Sequence, residues 1–295
     1  MTRTPALAAL LLPFALAAQP GPRFLNKADL AAAQELYAQG QLDSALVMVD
    51  RVIAKDGSLA AAFKLRGDIH QRKNNIDAAL TDYAQAEDLG SSDPRLFVSR
   101  SAARITSGNL KGALRDLDRA LELSPQDADI HYNRACALYL GGDNKGAQRD
   151  VERALRLKSD YAEALYLSGV IKGEEYREEA GLADIEAALL LKPDLQGGLM
   201  SQAVLLYELK RYEAAIETFS AVIAANGEGK GEAYYYRGDS HYELGHKDLA
   251  CADWAISAGL GDKDAQFIQK NYCETDAIKI PKKPTRKRKR TVIQF

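Results

Sequence analysis

The chain is poor in proline, sulfur and tryptophan: nine prolines, three cysteines, three methionines and one tryptophan stand among 295 residues. Sparse proline leaves long stretches open to helix, because proline removes a backbone donor and clashes with the turn before it. Three cysteines cannot build a disulfide framework, and an odd count leaves at least one thiol unpaired. Catalytic signatures are missing too. There is no glycine-rich phosphate loop, no His-Glu-x-x-His and no nucleophile elbow. The four histidines, His70, His131, His241 and His246, include no i, i+4 pair of the kind that holds a metal on a helix. No enzyme activity, metal or cofactor is therefore expected. Past residue 18 no apolar run approaches the ~20 residues of a membrane-spanning helix.

What is present is 46% apolar and 27% charged residues, rich in alanine and leucine. That composition excludes global disorder and favours helix, since alanine and straight-chain residues lose least on entering one. The ends differ from the middle. Residues 1–18 read as a signal peptide, with Arg3, an apolar run from Ala6 to Ala18 and the small-residue signal Ala15-Leu16-Ala17. An exported protein, periplasmic or secreted, is expected, with residues 19–25 as a flexible mature N-terminus. At the other end, residues 276–295 read as a disordered basic tail carrying Lys282, Lys283, Arg286, Lys287, Arg288, Lys289 and Arg290. Without those seven, 32 basic residues face 41 acidic ones, so the rest of the chain is strongly acidic.

Between the ends a period of 34 is visible. Units begin near Asn26, Ala60, Pro94, Ala128, Ala162, Gln196 and Gly231, the last after one extra residue. Unit three carries Phe97 at position 4, Leu110 at 17, Ala113 at 20, Leu117 at 24 and Ala120 at 27. Unit six gives Leu199, Ala203, Tyr212, Ala215, Phe219 and Val222 at positions 4, 8, 17, 20, 24 and 27. Small residues at 8, 20 and 27 let two antiparallel helices approach, and large apolar ones fill the gaps beside them. Residues 26–275 on this pattern resemble the tetratricopeptide repeat (TPR) family. The resemblance implies an all-α, right-handed α-solenoid of antiparallel helix pairs, about seven units with a capping helix near 264–272. Unit five departs from it: Gly-Glu-Glu-Tyr-Arg-Glu-Glu-Ala-Gly replaces a clear turn, and Gly181 stands at position 20.

Comparing units exposes a recurring pair. Arg66, Arg100, Arg134 and Arg237 occupy position 7 where Asp82, Asp116, Asp150 and Asp253 occupy position 23; units one and six lack both. An inter-helix ion pair of structural role is expected. The resemblance also implies that positions 2, 5, 9 and 12 line a groove that receives another protein or peptide. Here those positions include Tyr37, Lys64, Tyr132, Tyr139, Tyr166, Tyr207, Tyr235 and Tyr242. A carboxylate clamp of the kind some TPR domains use is not reproduced, because Asp68 stands where Lys64 would need an asparagine. The expected function is a non-enzymatic scaffold. The alternative is a tether whose basic tail binds an anionic membrane or envelope polymer; without interleaved aromatics, specific nucleic-acid binding is not expected. Cys251 and Cys273 are candidates for a disulfide.

Overall fold

A computed structural model describes residues 22–225 and 229–281. The signal-peptide segment and the seven basic tail residues lie outside them. The described residues form helices α1 (Pro22–Ala38), α2 (Leu42–Lys55), α3 (Ala60–Arg72), α4 (Ile76–Asp88), α5 (Pro94–Thr106), α6 (Leu110–Leu123), α7 (Ala128–Leu140) and α8 (Asn144–Leu157). They continue as α9 (Ala162–Glu174), α10 (Glu178–Leu191), α11 (Gly198–Glu208), α12 (Tyr212–Ala224), α13 (Lys230–Glu243), α14 (Lys247–Gly259) and α15 (Lys263–Ile268). Among the described residues there is no strand and no helix long and apolar enough to cross a membrane. The architecture is an all-α solenoid of helix pairs, in two compact units that divide between Ser92 and Asp93.

Local chemistry sets the helix ends. Asp93, Asp127 and Asp262 accept hydrogen bonds from backbone amides of the first turns of α5, α7 and α15, while Asn109 and Asp143 do so for α6 and α8. Within every pair one residue at position 15 takes the left-handed conformation. It is glycine in four pairs, at Gly40, Gly108, Gly142 and Gly245, but Asn74, Tyr176 and Lys210 in the others. Unit five therefore keeps the common turn: Tyr176 adopts φ 59° with its ring in solvent, and bears the strain that glycine avoids.

The seam inside each pair is built by size matching. Ala45, Ala79, Ala113, Ala147, Ala215 and Ala250, all at position 20, are fully buried. Where position 24 is largest, position 8 is glycine: a Cβ on Gly67 would stand 2.6 Å from the Tyr83 ring, and one on Gly238 3.0 Å from Trp254. In the α9–α10 pair the backbones themselves approach. A Cβ on Gly169 would lie 2.7 Å from the Gly181 carbonyl oxygen. Glycine at position 20 is thus the means of a closer crossing there.

First helices of successive pairs touch one another, α1 with α3 in one unit and α5, α7, α9, α11 and α13 in turn in the other, and among the described residues second helices do not pack together in this way. Each unit thus has a first-helix wall and an opposite second-helix wall. At the end α15 and a short π-helical turn, Gln269–Cys273, cap the last pair. A disulfide joins Cys251 to Cys273 with its sulfurs 2.01 Å apart, and Cys136 remains a buried free thiol. Packing extends past residue 275. Ile280 is buried with Trp254 and Tyr272, and Lys247 Nζ donates to the Thr275 and Ala277 carbonyls.

Candidate functional site

The first-helix wall is positioned by the recurring ion pair. In each case Nε and Nη2 of the arginine donate to the two carboxylate oxygens of the aspartate. The distances are 2.9 and 2.7 Å for Arg66 with Asp82, and 3.1 and 2.8 Å for Arg100 with Asp116. They are 2.7 and 2.8 Å for Arg134 with Asp150, and 2.8 and 2.7 Å for Arg237 with Asp253. This planar fork suits guanidinium and no other side chain. The aromatic ring at position 4 flanks it, with Phe63, Phe97 and Tyr234 centred 5.3–5.5 Å from the guanidinium carbon. The carboxylates raise the Arg66, Arg134 and Arg237 guanidinium pKa values above the usual range, hydrogen bonding to the aspartate being the largest cause.

A second role of position 7 escaped the sequence reading. Nη1 of Arg66 donates to Asp50 at 2.9 Å and that of Arg134 to Asp118 at 2.8 Å, both in the preceding second helix. Arg237 reaches Ser220 at 2.9 Å. The acceptors share position 25 of the previous repeat, sixteen residues back for Asp50 and Asp118 and seventeen for Ser220, so one side chain fastens its own pair and joins it to the one before. The signal was available as a second acidic column. Unit five, with Ser168 at position 7, instead links Lys172 to Asp184.

The tyrosines named from the resemblance divide into two groups. Tyr139, Tyr166 and Tyr235 are buried, with exposures of 0%, 7% and 1%. They correct the expectation of an open tyrosine groove: Tyr139 and Tyr166 meet the next first helix, Tyr235 packs with Trp254, Tyr272 and Ile280, and none of the three presents area to a partner. Tyr139 donates to Glu174, which also accepts from Asn144 Nδ2; Tyr166 shares a 3.1 Å hydrogen bond with Ser201. Tyr207, partly exposed, donates to Asp239 at 3.1 Å. The hydroxyls of Tyr139, Tyr166 and Tyr207 each meet the next first helix 32 to 35 residues on.

Tyr37, Tyr132 and Tyr242 also keep part of their rings at the surface. Tyr132 lies 5.0 Å from the ring of Tyr161, over which Lys158 Nζ sits at 4.4 Å. Tyr37 stacks on the Arg72 guanidinium at 4.8 Å, and Tyr242 packs edge-on to Tyr272. Lys64 is held by Asp68 at 2.7 Å, which neutralises it. Between the tyrosines Val98, Ala102, Met200 and Val204 are half-buried. Burial raises the pKa of the Tyr132 hydroxyl and that of Tyr207, so both remain protonated donors. It pushes the Cys136 thiol up to about 12, so this thiol is no nucleophile at neutral pH.

A family model described as tetratricopeptide repeat matches residues 30–94, 179–229 and 200–264, more than half of the chain, and a second, described as TPR repeat, matches residues 102–142. The chain belongs to the tetratricopeptide repeat family. TPR domains are scaffolds for protein–protein contact, which agrees with a wall of packed helices. Comparison with curated proteins gives no match. Among solved TPR structures, Pseudomonas aeruginosa pilF is 17% identical over 73% of this chain and 98% of its own, with a TM-score of 0.63. A TPR protein from Parabacteroides merdae is 16% identical over 81% of this chain and 94% of its own, with a TM-score of 0.60. YrrB, described as a TPR protein with an unusual peptide-binding site, is 23% identical over 59% and 90%, with a TM-score of 0.50. These likenesses are of fold.

Proposed function

We propose that the protein is a non-enzymatic scaffold that holds an extended or helical segment of another protein on its first-helix wall. The observation that carries this reading is the run of half-buried side chains at groove positions from α5 to α11: Val98, Ala102, Tyr132, Met200, Val204 and Tyr207. They offer apolar and aromatic contact area, while the hydroxyls of Tyr139 and Tyr166 are already used between helices. The segment accepted is therefore one with apolar anchors rather than a charged tail. The peptide-binding site of the structurally similar YrrB supports the same use of the fold. The signal-like N-terminus supports an exported, periplasmic or secreted, location. The charge of Lys282 to Arg290 supports an accessory role for the tail at an anionic membrane or envelope polymer.

The test is capture of the natural partner by crosslinking, with wild type beside a variant carrying Ala102→Glu and Met200→Glu. Placing carboxylates on the apolar wall should cut recovery at least about tenfold, the scale of a lost hot spot, while the melting curve stays cooperative. Equal recovery from both would exclude the wall as the binding surface.

A further inference from the structure

The second-helix wall of the unit that begins at Asp93 changes sign along its length. Positions 18, 22 and 26 of a repeat stand one turn apart on one helix face. In repeats three and four all six are basic: Lys111, Arg115 and Arg119 on α6, Lys145, Arg149 and Arg153 on α8. The same positions read Glu179, Ala183 and Ala187 on α10, then Glu213, Glu217 and Ala221 on α12. All but Arg153 and Ala187 are exposed. Like charges one turn apart repel, and nearby carboxylates leave most of the six without an ion pair. Asp118 is taken by Arg134, Glu122 by Arg119 at 2.6 Å, and Glu152 accepts from Gln148 at 3.2 Å. Among the described residues Lys111, Arg115, Lys145 and Arg149 form no ion pair, and neither do Glu213 and Glu217.

We propose that this wall is a docking surface for a second copy of the chain, across a two-fold axis that runs parallel to the second helices between α8 and α10. Such an axis lays α8 against the partner's α10 and α6 against the partner's α12, with equal repeat positions face to face. Lys145 then meets the partner's Glu179, Lys111 the partner's Glu213, and Arg115 the partner's Glu217. Arg149 and Arg153 lay their aliphatic stems on the partner's Ala183 and Ala187, beside the partner's Leu190, which is 85% exposed in the single chain. Glu179 arrives already paired with Arg211 at 2.8 Å, so the two α6–α12 contacts contribute most. A uniformly anionic membrane or polymer would be drawn to α6 and α8 but repelled by Glu213 and Glu217. A second copy matches the reversal at three contacts, Lys145 with Glu179, Lys111 with Glu213 and Arg115 with Glu217.

Sedimentation velocity of the full chain tests this across 1 to 100 µM protein (roughly the range of weak specific dimers) at low and high salt. Wild type should dimerise at low salt and dissociate as salt screens the pairs. The variant Lys111→Glu, Arg115→Glu, Lys145→Glu sets carboxylate against carboxylate at the three charge contacts; Glu179→Lys, Glu213→Lys, Glu217→Lys sets cation against cation there. Each alone should dimerise at least about tenfold more weakly than wild type, and an equimolar mixture should restore the dimer. Circular dichroism checks that both remain helical, and neutral glutamine variants at the same six positions serve if either does not. A wild type that stays monomeric throughout the range, a dimer indifferent to the reversals, or a mixture that fails to associate would each overturn the proposal. So would a monomeric wild type that binds anionic vesicles through Lys111, Arg115 and Lys145.

Discussion

The four arginine forks are nearly alike in geometry but unequal in burial. The side chains of Arg100 and Asp116 are 6% and 4% exposed, whereas Arg134 is 27% exposed. Removing a guanidinium from the buried fork leaves Asp116 to Arg104. Arg100→Ala should therefore cost about 3 kcal/mol and Arg134→Ala about 2 kcal/mol, read from urea midpoints. Gln202→Ala, at position 7 of a unit without the pair, should stay within about 0.5 kcal/mol. Equal losses at the three sites would remove the fork as a source of stability. Backbone closeness makes a second prediction: Gly169→Ala pushes a methyl against the Gly181 carbonyl and should destabilise by about 1 to 3 kcal/mol. The forks were legible in the sequence because paired presence at positions 7 and 23 recurs in register. The contacts from position 7 back to position 25 showed only as a broken acidic column, and those from tyrosine hydroxyls to the next first helix not at all, because they join neighbouring repeats and only packing shows which rotamer is used.

Among the elements, the last helix pair is the most elaborated. Cys251 on α14 is bonded to Cys273 in the capping turn, a separation of 22 residues. Closing a loop of that length restricts the unfolded chain by about 3 kcal/mol, so reductant should lower the stability of wild type by about that amount and leave Cys273→Ser unmoved. His241 on α13 lies 5.9 Å, ring to ring, from His246. Burial lowers its pKa, Arg237 and His246 act in the same sense, and Asp253 partly opposes them. The unfolded chain then binds a proton at a pH where the folded one resists it. Stability should consequently fall as pH drops below about 6.5, the ordinary histidine value. His241→Gln should flatten that slope in urea titrations at pH 7 and pH 5; an unchanged slope would rule out His241 as its source. Helix order and turns were readable from the 34-residue period, with α3, α5, α7 and α9 starting at Ala60, Pro94, Ala128 and Ala162. The unit-five turn was not, because a left-handed tyrosine carries no local sign that tertiary packing will enforce it.

At the scale of the whole molecule, one repeat has been diversified on two walls. Residues that fasten helices together recur from unit to unit, whereas those that face outward change: apolar and aromatic on the first-helix wall, basic and then acidic on the second-helix wall. Three of the seven tyrosines that the resemblance assigns to a groove are consumed in packing. Sequence position alone cannot separate a ring that lines a wall from one that binds its helices together. The central claim is that the first-helix wall is the surface that receives another protein. Site-specific photo-crosslinking from residue 200, on that wall, and from residue 149, on the opposite one, tests it most directly in cells that make the full chain. The expected result is capture of a different protein from residue 200 and not from residue 149. Capture of that protein from residue 149 alone would contradict it.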